Sequence, residues 1–210
     1  TASLQSKVLY KIMNSILGNR RLPMLVIDSP NTIKNRINFS ARAAGILGFS
    51  FFGKDITYAL DENMRINHEE LNHFSEKYKN QKIFIFGFTF MVWKHFILEL
   101  QKIDKKIDFR SSILSHGGGW KKLKNLNISN EKFKEKIKYF LNIEEIIDYY
   151  GMVEQTGTIY TECTEGYLHT SIYSDIIIRD HVELTPLNDG EKGIIQVLSI
   201  APFSYPGHSL

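Results

Sequence analysis

A chain of 210 residues, 43% of them hydrophobic, is long enough for one domain with a proper core, burying about 70% of its unfolded surface. Its 26 lysines and arginines against 23 acidic residues leave a formal charge of +3, which gives no electrostatic case for nucleic acid or an anionic membrane. A lone cysteine, Cys163, excludes an internal disulfide, and the longest apolar run, Ile83 to Trp93, falls well short of the roughly 20 residues of a membrane span, so a soluble, cytoplasmic protein is expected.

Leu4, Val8, Ile12 and Ile16 recur near the 3.6 period, so Ser3 to Gly18 reads as a helix closed by glycine. LPMLVID (22–28) is an apolar run of strand length ending in the turn SPN, and TIKNRINFSARAAGIL (32–47) reads as a second helix. A weak strand at Ile56 to Leu60, a helix over Asn67 to Tyr78 and the strand KIFIFGF (82–88) come next. A helix over Met91 to Lys102 and the strand SSILSH (111–116) continue the alternation. ISNEKFKEKIKYFL (128–141) is an amphipathic helix with Phe133, Ile137, Phe140 and Leu141 inward, and EEIIDYYG (144–151) is one more strand. Short apolar strands spaced by helices predict an α/β fold, a mostly parallel sheet flanked by helices over residues 1–160. From Glu165 the grammar changes: GYLHTSIY, DIIIRD and GIIQVLS follow one another without helical spacers, and NDGEKG is a turn signal. Residues 161–210 are therefore expected to form a small antiparallel β subdomain. There is no internal repeat or low-complexity segment, and a start at Thr1 without methionine suggests a piece of something longer.

GFSFFGKD (48–55) nearly matches a phosphate loop, but Asp55 stands where a hydroxyl should hold Mg²⁺, and the residues before it read as helix rather than strand. The seven histidines show no metal-ligand spacing, Cys163 has no C-x-x-C partner, and there is no G-x-S-x-G elbow. The lysines of 121–138 interleave with acids and amides on an ordinary solvated helix face. ILSHGGGWKKL (113–123) is different, because its glycines directly follow a strand, where open parallel sheets bind ligands. Their spacing does not support a pyrophosphate cradle; a backbone lying flat against a planar ring and a mere tight turn both remain open. DYYGMVEQTG (148–157) also follows a strand and offers an aromatic ring, Tyr150, a flexible Gly151 and a carboxylate, Glu154. The ring suits stacking on a base and the carboxylate suits Mg²⁺ beside phosphates; a packed Tyr150 and a solvated Glu154 are the plain alternative.

In this order, HGGGW, YGMVEQTG and LNDGEKGIIQVLS resemble the adenylate-forming, acyl-CoA synthetase-like superfamily. LPMLVIDSP, NRINFSARAAGILGFS, FGFTFMVW, ILSHGGGWKKL, YGMVEQTG and SYPGHSL are similar to its acyl-protein synthetase, LuxE-type family, the fatty-acid-activating component of bacterial luciferase aldehyde synthesis. The resemblance covers nearly the whole chain and implies part of the large N-terminal domain of an adenylate-forming enzyme. It implies a ligase that uses ATP and Mg²⁺ to turn a fatty acid into an acyl-adenylate and then hands the acyl group to a protein thiol. It also implies a role in bioluminescence, with an acyl-CoA reductase-type or carrier-protein partner. Carried over by position, Gly117, Gly118 and Gly119 form a shelf for adenine, flanked by His116 and Trp120. Tyr150, with Gly151 and Met152 in its turn, stacks on the ring, and Glu154 binds the metal.

Three departures stand beside this. Val153 replaces a threonine whose hydroxyl meets the α-phosphate, so that contact is absent or comes from another group such as Thr156. The Ser/Thr/Gly-rich phosphate loop is missing unless Thr1 to Lys7 is its trailing end, and the ribose-binding acid and the C-terminal lysine domain are not reached. A second reading is therefore a catalytically incomplete nucleotide- or partner-binding module. Cys163 is expected to be a structural thiol rather than the acyl acceptor. Phe86, Phe88, Phe90 and Trp93 either line an apolar slot for the acyl chain or form plain core.

Overall fold

The computed structural model describes residues 2–34, 40–118, 120–124, 126–152, 155–202 and 207–209. Helix α1 (Ala2–Leu17) leads into strand β1 (Leu22–Val26), helices α2 (Asn31–Lys34) and α3 (Ala41–Ser50), strand β2 (Gly53–Tyr58) and helix α4 (His68–Lys77). Strand β3 (Phe84–Phe88) runs into helix α5 (Thr89–Met91), a π-helical stretch (Val92–Ile97) and helix α6 (Leu98–Lys102). Strand β4 (Ile113–Gly117), helices α7 (Trp120–Lys124) and α8 (Asn130–Leu141) and strand β5 (Glu145–Gly151) follow. The remainder is strands β6 (Ile159–Glu162), β7 (Leu168–His169), β8 (Ser174–Arg179), β9 (Ile194–Ser199) and β10 (Gly207–Ser209). The chain divides into two compact units, Leu17–Asp148 and Thr1–Ile16 with Tyr149–Leu210. Among the described residues no helix is long and apolar enough to cross a membrane.

The larger unit is built on parallel strands in the order β2-β1-β3-β4-β5. Because side chains alternate across a strand, the apolar runs of β1, β3 and β4 supply two buried faces. On one face Leu25, Ile27, Ile85, Leu114 and Ile146 cluster with Leu71 and Phe74 of α4, Phe96 and Leu100, and Phe133 and Ile137 of α8. On the other, the Phe49 ring of α3 stacks on Phe86 with centroids 4.2 Å apart and lies 6.2 Å from that of Phe84. Gly87 admits the π-helical stretch: a Cβ there would stand 2.8 Å from Val92 Cγ2 and 3.0 Å from Ile27 Cβ.

The helices start where the sequence supplies caps. The side chains of Ser40, Asn67 and Ser129 accept the N–H of Ala43, Glu70 and Lys132, satisfying donors that the first turn leaves free. Ser40 also explains why the helix expected over 32–47 is two helices, since capping α3 requires an extended residue in the middle of that span; residues 35–39 lie outside the described set. The short helix α7 and the strands β6 and β10 were not foreseen, and the strand expected over GYLHTSIY shrinks to two residues, Leu168–His169.

In the second unit the last residues of β5 pair antiparallel with β6, and β6 with β7; a separate antiparallel sheet has the order β10-β9-β8. Val8 and Ile12 of α1 pack with Ile159, Tyr173 and Ala201, and the Gly157 N–H donates to Gln5 Oε1 at 2.6 Å. The fold class is thus as expected, a mostly parallel sheet flanked by helices plus a small antiparallel sheet.

Phe86 sits at the centre of the larger unit. Phe86→Ala should lower unfolding free energy by about 3–5 kcal/mol, read from denaturant melts, because the cavity lies in fully packed surroundings.

Candidate functional site

A strand order of 2-1-3-4-5 reverses direction between β1 and β3, and the crevice beyond the carboxyl ends of such strands is where open α/β sheets receive ligands. In the larger unit the polar residues at or just past those ends are Asp28 and Ser29 after β1, Thr89 after β3, His116 in β4 and Asp148 in β5. Parallel register sets Phe88 beside Gly117 and His116 beside Asp148.

His116 is fully buried, its ring 4.6 Å from Phe133 and edge-on to Trp120. Nδ1 lies 3.0 Å from the Thr89 hydroxyl, and Nε2 is buried with no hydrogen-bond partner among the described residues. Burial, helped by the Lys134 charge, pushes its pKa down to about 3, so the ring is neutral at ordinary pH. Asp148 stands 3.8 Å from Nδ1, too far for a hydrogen bond to offset that burial. Asp148 is instead held by Trp120, whose indole N–H donates to Oδ2 at 2.7 Å. The first residue of α7 is thereby tied to the end of β5 across the glycine turn.

The glycines differ in what they do. Gly117 is a strand residue paired with Phe88, whereas Gly118 has φ +69°, a left-handed backbone that a side chain would strain. Gly118 is thus required by the turn itself, and Gly119 lies outside the described residues. His116 packs inward, so the side chains that flank the turn brace it rather than face an open surface.

In the second unit Tyr150 is 50% exposed, its ring stacked 6.0 Å from that of Tyr160. Burial, and then Tyr150, raises the pKa of Tyr160. Gly151 pairs with Ile159, has no left-handed backbone, and a Cβ there would meet nothing within 4 Å among the described residues. Met152 is core, packed with Tyr160 and Val197, and its N–H is used by the Thr158 carbonyl. Glu154 and Val153 lie outside the described residues. Among the described residues no group of three acidic, histidine or cysteine side chains is placed to hold a metal. Cys163 is half-buried in a turn.

Of the four aromatics read as an apolar slot or as plain core, Phe86 and Trp93 are buried in the core. Phe86 packs under α3 on one face of the sheet, and Trp93 joins the cluster on the other with Phe133, 6.1 Å away. Phe88 and Phe90 pack half-buried against that second cluster. Phe86 and Phe88, two apart in β3, share a face and lie edge-on with centroids 5.8 Å apart, whereas Phe90 and Trp93 belong to the helical segment that follows the strand. Conversely, Asp28, Arg42, Thr89 and Asp148 were not singled out. Asp28 and Asp148 were legible as acids at the ends of apolar strands, but the meeting of Asp28 with Arg42, 3.0 Å apart, needs the strand order.

The family model described as acyl-protein synthetase, LuxE, matches residues 1–210. No curated protein matches the sequence. Among solved structures, ATP-bound MatB from Rhodopseudomonas palustris superposes with a TM-score of 0.59 at 10% identity, over 97% of this chain and 37% of that one. A long-chain-fatty-acid-CoA ligase from Archaeoglobus fulgidus gives 0.58 at 14%, over 93% and 37%. The luciferase-like enzyme of the nonluminescent mealworm Zophobas morio gives 0.58 at 15%, over 97% and 44%. The chain thus spans less than half the length of these structures, and the likeness is one of fold.

Two outcomes follow from the buried network. Trp120→Phe keeps an aromatic ring but removes the indole donor to Asp148 Oδ2, and should cost about 1–3 kcal/mol in urea unfolding. His116 has a folded pKa below its unfolded one, so the stability it contributes is complete above pH 6.5 and falls as pH drops toward about 3. His116→Gln should remove up to about 1.4 kcal/mol per pH unit of that acid slope, read from unfolding between those limits.

Proposed function

Because the chain belongs to the acyl-protein synthetase, LuxE family, we propose that it is part of an ATP-dependent ligase that activates a fatty acid and transfers it to a protein thiol. In the first step a carboxylate oxygen attacks the α-phosphorus of ATP; the new P–O bond gives the acyl-adenylate as the bond to pyrophosphate breaks. In the second a thiolate attacks the acyl carbonyl, a thioester forms, and AMP leaves with the electron pair of the broken C–O bond. The protein's share is positional and electrostatic: in-line alignment and compensation of phosphate charge.

The observation that most supports this is Gly151. A glycine in a strand with ordinary backbone, and with no described residue where its Cβ would stand, is required among the described residues neither by conformation nor by packing. It leaves the backbone bare for close approach by a ligand, beside the half-exposed ring of Tyr150. We assign Tyr150 to stack on adenine and the backbone of Gly117, Gly118 and Gly119 to form its shelf, with Gly151 and Met152 contributing main chain. His116 and Trp120 act as braces of that turn through Thr89 and Asp148. Glu154 is the proposed Mg²⁺ ligand; the metal, when bound, supplies charge to the phosphate oxygens.

The test is pyrophosphate exchange with the intact protein. Labelled pyrophosphate should enter ATP only when a carboxylic acid is present; no exchange across a panel of short to long fatty acids would overturn the reading. Gly151→Val should leave the unfolding midpoint unchanged or higher, because the side chain has room and suits a strand, while weakening ATP binding by about tenfold or more in calorimetry. Glu154→Ala should remove most Mg²⁺-dependent exchange, and an unaffected rate would refute its role.

A further inference from the structure

The loops after β1 and β3, at the point where the strand order reverses, hold an ion pair with one side left open. Asp28 is 1% exposed and follows directly on an entirely apolar strand. Its Oδ1 accepts the Ser29 N–H at 2.7 Å and the Thr32 hydroxyl at 2.6 Å, and its Oδ2 lies 3.0 Å from Arg42 Nε. Arg42, in the first turn of α3, also donates from Nη2 to Thr32 Oγ1 at 3.0 Å. Nε and Oδ2 meet as an ion pair without hydrogen-bond geometry, whereas Thr32 gives its proton to Asp28 and accepts one from Nη2, so that side of the guanidinium is satisfied through Thr32.

The other side of the guanidinium is not. Among the described residues, the partner of Nη1 is Met91 Sδ at 3.4 Å, on the helix that follows β3. A thioether is a weak acceptor for a charged donor. The Arg42 side chain is nonetheless 38% exposed, so its remaining donors are within reach of a ligand. Burying a carboxylate is expensive, and a pair buried for stability alone is often no better than an apolar one. What Asp28 and Thr32 accomplish here is orientation: they hold a planar fork rigidly at the mouth of the crevice. Such a fork suits the paired oxygens of a carboxylate or phosphate better than a lysine ammonium does.

We propose that Arg42, oriented by Asp28 and Thr32, is an anion-receiving site at the β1/β3 crevice that takes a substrate oxyanion on Nη1. On the ligase reading, from which this draws its ligands, the oxyanion is the carboxylate of the acid or a phosphate of ATP. Both present paired oxygens that accept N–H bonds, and experiment separates them.

The decisive variant is Arg42→Lys in the full chain, with Arg42→Gln combined with Asp28→Asn as the second, since that pair leaves no lone buried charge. Unfolding midpoints report whether each variant folds. Calorimetry with sodium octanoate and with ATP should show one affinity falling about tenfold or more and the other staying within about twofold. Loss for octanoate alone identifies the carboxylate, and loss for ATP alone the phosphate. Independently of any activity, the Arg42 Nε–H NMR signal of ¹⁵N-arginine-labelled protein should shift on adding sodium acetate or inorganic phosphate. If wild type binds no ATP and exchanges no pyrophosphate but this signal moves, the ligase reading falls and the anion site stands. If ATP binds, the signal is still, and both variants keep wild-type affinities, Arg42 is a clamp between α3 and the β1 loop and the proposal is wrong.

Discussion

Strand β3 has no face left for water: Phe84, Ile85 and Phe86 are fully buried between β1 and β4, with helices covering both sides. A strand placed like that carries apolar side chains in both directions until it ends, because an unpaired polar group inside would be left without solvent or partner. The same holds for Met24 to Val26 in β1. In β1 and β3 polar side chains therefore appear where the strands run out, whereas β4 buries Ser115 and His116 within its length. Asp28, Thr89, His116 and Asp148 are each delivered by a different strand.

Those groups are organised by one another rather than by solvent. Thr89 meets His116, Trp120 meets Asp148, and Thr32 joins Asp28 to Arg42. A neutral, buried His116 adds no charge to the strand ends, where the partly exposed Arg42 is set against the buried Asp28. The left-handed Gly118 then lets the chain turn sharply from β4 into α7 while Trp120 stays bound to the end of β5. For the proposed ligase this matters because catalysis by alignment depends on groups held in place, and Thr89–His116 and Trp120–Asp148 hold the residues on either side of the glycines.

Much of the fold could be read from the sequence wherever burial writes a simple pattern. LPMLV and FIFGF are strands because continuous apolar runs of that length fit two-faced burial, and Phe133, Ile137, Phe140 and Leu141 mark the inner stripe of α8. The pattern failed where polar chemistry rather than burial set the boundary. Ser40 was the capping residue inside an apparently continuous helix, and Ile159–Glu162 is too short and too mixed to announce a strand. At the site, the glycine run was conspicuous, yet its composition could not separate a turn from a ligand shelf; the φ of Gly118 explains one glycine by the turn, and the space that the described residues leave at Gly151 points to the other kind of reason. The aromatic run around β3 reads equally as a slot or as core, because alternation puts Phe84, Phe86 and Phe88 on one face and the sequence does not say what covers it; Phe49 of α3 packs there against Phe84 and Phe86. Asp28 and Arg42 stayed hidden because no spacing rule connects an acid after one strand with a base in the next helix; only their placement at the strand reversal makes them a pair.

The central claim is that a carboxylate oxygen of the acid becomes bonded to the α-phosphorus of ATP. Fatty acid labelled with ¹⁸O in its carboxyl group, incubated with ATP, Mg²⁺, a thiol acceptor and the intact protein, tests this directly by mass spectrometry of the nucleotide. The account predicts AMP carrying one ¹⁸O, because the oxygen that attacked phosphorus leaves with it when the thioester forms. Label found in inorganic phosphate with ADP as the nucleotide product, or AMP without label, would contradict it.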